Sequence, residues 1–285
     1  MRTLRGILAA SRPISWVNTA FPFGLAYLLV GGGLDWLFWV GVVFFLIPYN
    51  IAMYGINDVF DYESDIRNPR KGGVEGAVLP RSMHAPLLWA SVVTTAPFLV
   101  VMYASGTWQS AFWLTVSMLA VVAYSAPPMR FKERPVLDSL TSSAHFVTPA
   151  IVGASIRVGD LPGFFWVAVG SFFLWGMASH ALGAVQDVKA DREGELSSIA
   201  TAFGARAVTR LAAGAYLVAA VLLFLLPAPG WIVALAGLGY VANTLRFWNI
   251  TDDTCEDVNR AWRVFLWLNY LVGAIVTVSL ATVYL

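Results

Sequence analysis

Long apolar runs separated by short polar breaks set the pattern of this chain. Runs over residues 14–32, 36–57, 84–105, 109–127, 136–157, 162–187, 207–226, 229–247 and 261–284 are of helical spanning length, since a helix needs about 20 apolar residues to cross the hydrocarbon. Nine transmembrane helices are therefore expected. No alternating apolar–polar pattern of a barrel is present, and within lipid the remaining way to satisfy every backbone group is the helix. The breaks differ in kind. Gly31-Gly32-Gly33, Ser105-Gly106 and Pro227-Ala228-Pro229-Gly230 are tight turns, and longer polar loops fall between them. No linker or second pattern appears, so residues 1–285 are expected to form one polytopic domain.

Composition agrees. Of 285 residues, 58% are hydrophobic and 12% charged, against about 25% charged in soluble domains, and the mean hydropathy is +0.69. The chain is expected to be all-α and integral to a membrane, with lipid around it and no nucleic-acid partner. The lone Cys255 excludes an internal disulfide and a cysteine-rich metal site. Arg2, Arg5 and Arg12 precede an apolar run long enough to remain as a span, so no cleaved signal is expected. Numbering the loops in order puts every Lys and Arg except Arg157 on one side. That side is cytoplasmic by the positive-inside rule, which puts the N-terminus inside and the C-terminus outside.

The acids collect on the same side, with Asp35 and Asp160 as exceptions. Orientation does not require this, because acids barely affect it. At the end of the second span, Asn57, Asp58, Asp61, Glu63 and Asp65 crowd together. Their mutual repulsion argues against a role in stability and for bound cations. Asn57, Asp61 and Asp65 recur every four residues, as do Asp187 and Asp191 at the end of the sixth span, so each set shares a helix face. Carboxylates from two such helix ends, facing each other, would make a hard-oxygen site for Mg²⁺ completed by substrate phosphate. A solvated acidic loop accounts for one such run but poorly for two. For Asp252, Asp253, Glu256 and Asp257, without such spacing, a solvated loop is the expectation. The turn Tyr124–Lys132 offers a phenol with Arg130 and Lys132, side chains suited to phosphate oxygens. Arg70 and Lys71, followed by Gly72, Gly73 and Gly76, suggest a basic loop that closes over substrate or, equally, a flexible connector.

Together these residues resemble the UbiA superfamily of intramembrane prenyltransferases. Asn57-Asp58-x-x-Asp61-x-x-x-Asp65 is similar to its first motif, Asp187-x-x-x-Asp191 to its second, and Tyr124–Lys132 to its diphosphate loop. The resemblance covers essentially the whole chain and implies a UbiA-like bundle. It implies that Asn57, Asp61, Asp65, Asp187 and Asp191, with Asp58 beside them, hold Mg²⁺–diphosphate. It also implies that Tyr124, Arg130 and Lys132 contact the diphosphate, with Arg70 and Lys71 of the basic loop as further candidates. Ser11–Thr19 and Asn68–Gly76 resemble the bacterial lycopene-elongase branch. That likeness implies a prokaryotic cell membrane, dimethylallyl diphosphate as donor, lycopene as acceptor and C45 or C50 carotenoids as products. A UbiA-type aromatic or quinone-precursor acceptor is the alternative within the chemistry. A cation-coupled transporter is the alternative outside it, although transporter sites lie nearer the midplane.

An allyl cation needs water excluded and aromatic faces nearby. Tyr54, Tyr49 and Asn50, on the helix that ends in Asn57, are expected to line the chamber. Asn18 is read as a buried packing amide. His145 and His180 are ionisable residues inside spans. Each is a candidate acceptor of the final proton or a hydrogen-bonded packing residue.

Overall fold

A computed structural model describes residues 2–66 and 78–284. The segment carrying Arg70, Lys71 and the glycine-bearing loop Asn68–Gly76 lies outside the described residues. Within them the chain is helical: α1 Arg2–Ala10, α2 Val17–Leu29, α3 Trp36–Leu46, α4 Pro48–Phe60, α5 Tyr62–Asp65, α6 His84–Ser105 and α7 Trp108–Ser125. These are followed by α8 Leu137–Ser155, α9 Gly163–Val185, α10 Val188–Glu193, α11 Ile199–Phe203, α12 Ala205–Leu223, α13 Gly230–Leu245 and α14 Asn259–Tyr284. Each expected apolar run has a helical counterpart. Five helical stretches, Trp36–Phe60, Arg81–Ser105, Gly163–Val185, Ala205–Leu223 and Asp252–Ser279, are long and apolar enough to cross a membrane among the described residues.

The chain divides into two units. Residues 1–131 and 144–161 form the first, 132–143 and 162–285 the second. The first has an aromatic core of Phe23, Tyr27, Phe44, Phe45 and Tyr49. Two glycines permit its closest packing. A Cβ on Gly41 would stand 1.9 Å from the Phe23 ring, and one on Gly153 would stand 2.2 Å from the Phe23 carbonyl oxygen.

The second expected span is broken where Pro48 supplies no N–H to the helical ladder. Asn50 repairs the break. Its Nδ2 donates to the carbonyl oxygens of Phe45 at 2.8 Å and Leu46 at 3.1 Å, and to Thr19 Oγ1 at 2.8 Å. Thr19 in turn donates to the Phe45 carbonyl at 2.6 Å. Asn50, expected in the chamber, is fully buried and its amide N–H groups join α3 to α4. Tyr49, expected in the chamber beside it, has an engaged hydroxyl. Thr148 donates to Ser117 at 2.8 Å, Ser117 to the Tyr49 hydroxyl at 3.0 Å, and that hydroxyl to the His145 carbonyl at 3.3 Å. Asn18 is exposed rather than buried, and its neighbour Thr19 does the packing.

At the other end of this unit, Asp35 caps α3 by accepting from Leu37 and Phe38 N–H. It also accepts from the Tyr27 hydroxyl at 2.7 Å and pairs with Arg157 at 3.3 Å. The one basic residue assigned to the opposite face thus has an acid partner there.

In the second unit, Tyr216, Tyr240, Leu182, Val185 and Phe265 make a core from α9, α12, α13 and α14. The third acidic stretch is more than a solvated loop. Asp252 accepts from Ala205 N–H at 2.7 Å, capping α12, and pairs with Arg192 at 2.7 Å.

Candidate active site

The first acid motif occupies the end of α4 and the short helix after it. Asp61 N–H bonds to the Asn57 carbonyl at 2.9 Å, and Asp65 N–H to the Asp61 carbonyl at 2.8 Å. The i, i+4, i+8 register expected from the sequence is therefore carried through the junction. Both carboxylates are more than nine-tenths buried. The Asn57 amide donates to Asp61 Oδ2 at 2.6 Å and to Ser125 Oγ at 3.0 Å. Its two N–H groups are thus engaged, and the function left to the amide is its carbonyl oxygen.

The Tyr124–Arg130 loop reaches the same place. Arg130 sends its NH1 to the carbonyl of Phe60 at 3.5 Å, at the C-terminal end of α4, where a cation is favoured. Tyr124 stands edge-on to His145, ring centroids 5.2 Å apart. The first unit thus unites Asn57, Asp61, Asp65 and Arg130 around one helix end.

Asp58 fares differently. Its carboxylate accepts from Arg12 at 3.0 Å, and its side chain is 1% exposed. The residue expected among the metal ligands thus also has an ion-pair partner in Arg12. Tyr54, expected beside an allyl cation, already has the Arg12 guanidinium 4.3 Å from its ring centroid.

In the second unit, Asp187 and Asp191 lie across the junction of α9 and α10, with Asp191 N–H bonded to the Asp187 carbonyl at 2.8 Å. Asp191 Oδ2 accepts from Ser198 Oγ at 3.3 Å. Both acids are half-buried. Lys132 lies in this unit, 3.9 Å from Glu133. His180 faces Ser139 Oγ through Nδ1 at 3.1 Å, which favours its packing role.

Sequence reasoning missed three polar groups. Arg12 was read for topology and as part of the Ser11–Thr19 run, and not as a partner of the acids. Ser125 lay unremarked inside the quoted loop. Asp138, fully buried at the start of α8, accepts from Ser139 and Ile199 N–H, each at 2.6 Å. Its signal was an acid at the first turn of an apolar helix.

Among the described residues, no cluster of three or more His, Cys, Asp or Glu side chains suffices alone for a metal. The donors present are hard oxygens, two carboxylates and an amide carbonyl in one unit and two carboxylates in the other. That chemistry fits Mg²⁺, which takes few carboxylates and completes its shell with phosphate and water.

Fold and site together describe a helical protein with several helices apolar enough to cross a membrane, a helix end carrying Asn57, Asp61 and Asp65, and another carrying Asp187 and Asp191. Residues 19–269 match the UbiA prenyltransferase family. The chain is 66% identical over 284 residues to a lycopene elongase/hydratase of Corynebacterium glutamicum, covering 100% of this chain and 99% of that one. It is 55% identical to the C(50) beta-cyclic carotenoids biosynthesis protein LbtBC of Dietzia sp. (strain CQ4), covering 94% of this chain and 62% of the other. A UbiA homolog from Archaeoglobus fulgidus, solved bound to DMAPP and Mg²⁺, has the same fold, with TM-score 0.67, 16% identity, and 95% and 99% of the two chains covered. The chain belongs to the UbiA prenyltransferase family, and it is a prenyltransferase. The transporter reading falls with that membership.

Proposed function

We propose that this enzyme transfers a dimethylallyl group from its diphosphate to the ends of lycopene, making C45 and C50 carotenoids. The observation that carries this reading is the 66% identity, along the full chain, to a lycopene elongase/hydratase. In the reaction the allylic C–O bond breaks and diphosphate leaves with the electron pair. The allyl carbon then bonds to a terminal alkene carbon of lycopene, leaving a tertiary cation. That cation takes water and sheds a proton, or sheds a proton directly. The hydratase half of the relative's name supports the hydrated end.

Asn57, Asp61 and Asp65 of the first unit and Asp187 and Asp191 of the second are the proposed holders of Mg²⁺–diphosphate. Mg²⁺ when bound would neutralise the acids against the diphosphate and stabilise the departing charge. Arg130 and Lys132 supply cations for the same oxygens, with Tyr124 beside them, and Arg70 and Lys71 are proposed to join from the segment outside the described residues. His145, buried and edge-on to Tyr124, is proposed as a proton acceptor ahead of His180. Nine crossings, a cytoplasmic N-terminus and active face, and an external C-terminus in a prokaryotic cell membrane complete the reading. Its support is the one-sided distribution of basic residues.

The test is pigment analysis of a lycopene-producing bacterium expressing the chain or Asp61→Ala. New C45 and C50 carotenoids from the parent, absent with the variant, are expected. Unchanged lycopene with the parent protein in the membrane would overturn the acceptor in favour of an aromatic or quinone precursor.

A further inference from the structure

Arg12 lies far in sequence from every acid motif, yet the fold delivers it to one. It follows α1 with φ +50° and ψ 73°, a left-handed conformation that residues bearing a Cβ seldom adopt. From there its NH2 reaches Asp58 Oδ1 at 3.0 Å. The guanidinium carbon lies over the Tyr54 ring, 4.3 Å from the centroid. Tyr54 and Asp58 are one turn apart on α4, so the guanidinium lies along a single face of that helix. The Arg12 side chain is 17% exposed and that of Asp58 1%. Arg12 Nε is buried with no hydrogen-bond partner, so the NH2 bond to Asp58 and the ring contact hold the group in place.

The placement has a chemical consequence. Asp58 adjoins Asn57 and precedes Asp61 by three residues. A buried carboxylate there, without the Arg12 charge beside it, would compete for metal and repel Asp61. We propose that Arg12 is a positioning residue of the first acid motif. By engaging Asp58 and one face of Tyr54, it keeps Asp58 out of the metal set, and metal–diphosphate binding in this unit is confined to Asn57, Asp61 and Asp65. This inference rests on the prenyl-transfer reading above.

The experiment uses the full chain in nanodiscs and reads two quantities. One is the thermal stabilisation given by Mg²⁺ with inorganic diphosphate, and the other is the turnover of prenyl transfer. Asp58→Asn is expected to keep the stabilisation, and Asp61→Ala to lose it. Arg12→Gln is expected to lose most of it and to lower kcat on the order of tenfold, because Asp58 without the Arg12 charge disturbs the set. The double variant Arg12→Gln with Asp58→Asn is expected to recover both. Arg12→Gln indistinguishable from the parent would overturn the inference, as would a double variant no better than Arg12→Gln. Should Arg12→Gln fail to accumulate, Asp58→Asn decides: loss of the ligand-induced stabilisation makes Asp58 a metal ligand and ends the proposal. Asp61→Ala retaining both stabilisation and turnover is a separate result, against the metal–diphosphate reading itself.

Discussion

Asn57 and Asp61, one helical turn apart, share a 2.6 Å hydrogen bond in which the amide donates to the carboxylate. With Ser125 taking the second N–H at 3.0 Å, the carbonyl of Asn57 is oriented by two anchors of unequal strength. A bond to a carboxylate is worth roughly twice one to a hydroxyl. Asn57→Asp removes both donors and adds a charge beside Asp61, so prenyl transfer should fall by on the order of a hundredfold, a loss of about 3 kcal/mol. Ser125→Ala removes one neutral bond, worth about 1 kcal/mol, and should lower the rate about fivefold. Initial rates in membranes, normalised to protein, check both. A Ser125 variant as inactive as the Asn57 variant would mean that the amide is not oriented in this way.

Asn50 should matter for stability and not for substrate. Replacing it with Leu leaves the Phe45 and Leu46 carbonyls without its amide at the Pro48 break. Interhelical hydrogen bonds of this kind contribute about 1–2 kcal/mol. The unfolding midpoint in detergent should drop accordingly, while KM for both substrates, measured on the folded fraction, stays at the parental value. A raised KM at parental stability would return Asn50 to the chamber.

The helices and the spacing of the acids along them were legible because each rests on local regularities, apolar length and the four-residue period. Asn57, Asp61 and Asp65 needed only the helix period to be placed on one face, and the backbone continues that period past the end of α4. The same period aligned Asn50 and Tyr49 with the motif but could not reveal their partners, Thr19 and Ser117, which lie on other helices. Asp58 was grouped with its neighbours because its ion pair spans 46 residues of sequence. Arg12 contributes to the count of basic residues exactly as any other arginine would, so nothing local marks its contact with Asp58. Asp138 was invisible for a related reason, since its bond to Ile199 crosses 61 residues.

Close backbone packing predicts a contrast between two glycines. A methyl group on Gly153 would meet the Phe23 carbonyl oxygen at 2.2 Å, and backbone cannot swing aside as a side chain does. Gly153→Ala should therefore destabilise the protein by about 3 kcal/mol, the upper end for overpacking. Gly170 has no such neighbour within 4 Å. Gly170→Ala should be neutral or stabilising by up to about 1 kcal/mol through helix propensity. Thermal midpoints of the two variants test the pairing, and equal midpoints would remove the α2–α8 contact as a constraint.

Asp35 predicts an acid limit that originates away from the acid motifs. Its carboxyl is held below the usual carboxylate range, first by the Phe38 N–H it accepts and then by the Tyr27 hydroxyl, against an opposing effect of desolvation, with smaller help from the Arg157 cation and the Leu37 N–H. A lowered folded-state value means that the unfolded chain binds the proton more readily. The contribution is then complete above the unfolded value of about 3.9 and is lost as pH falls through the lower folded value. Asp35→Asn cannot titrate. Its deficit in thermal midpoint relative to the parent should be constant between about pH 5 and pH 7 and should narrow as pH falls below about 3.9. Unfolding midpoints of both proteins across that range, in a detergent whose charge does not titrate, decide the matter. A gap of constant size down to the lowest pH would show that the Asp35 carboxylate is not what ties α3 to Tyr27 and Arg157.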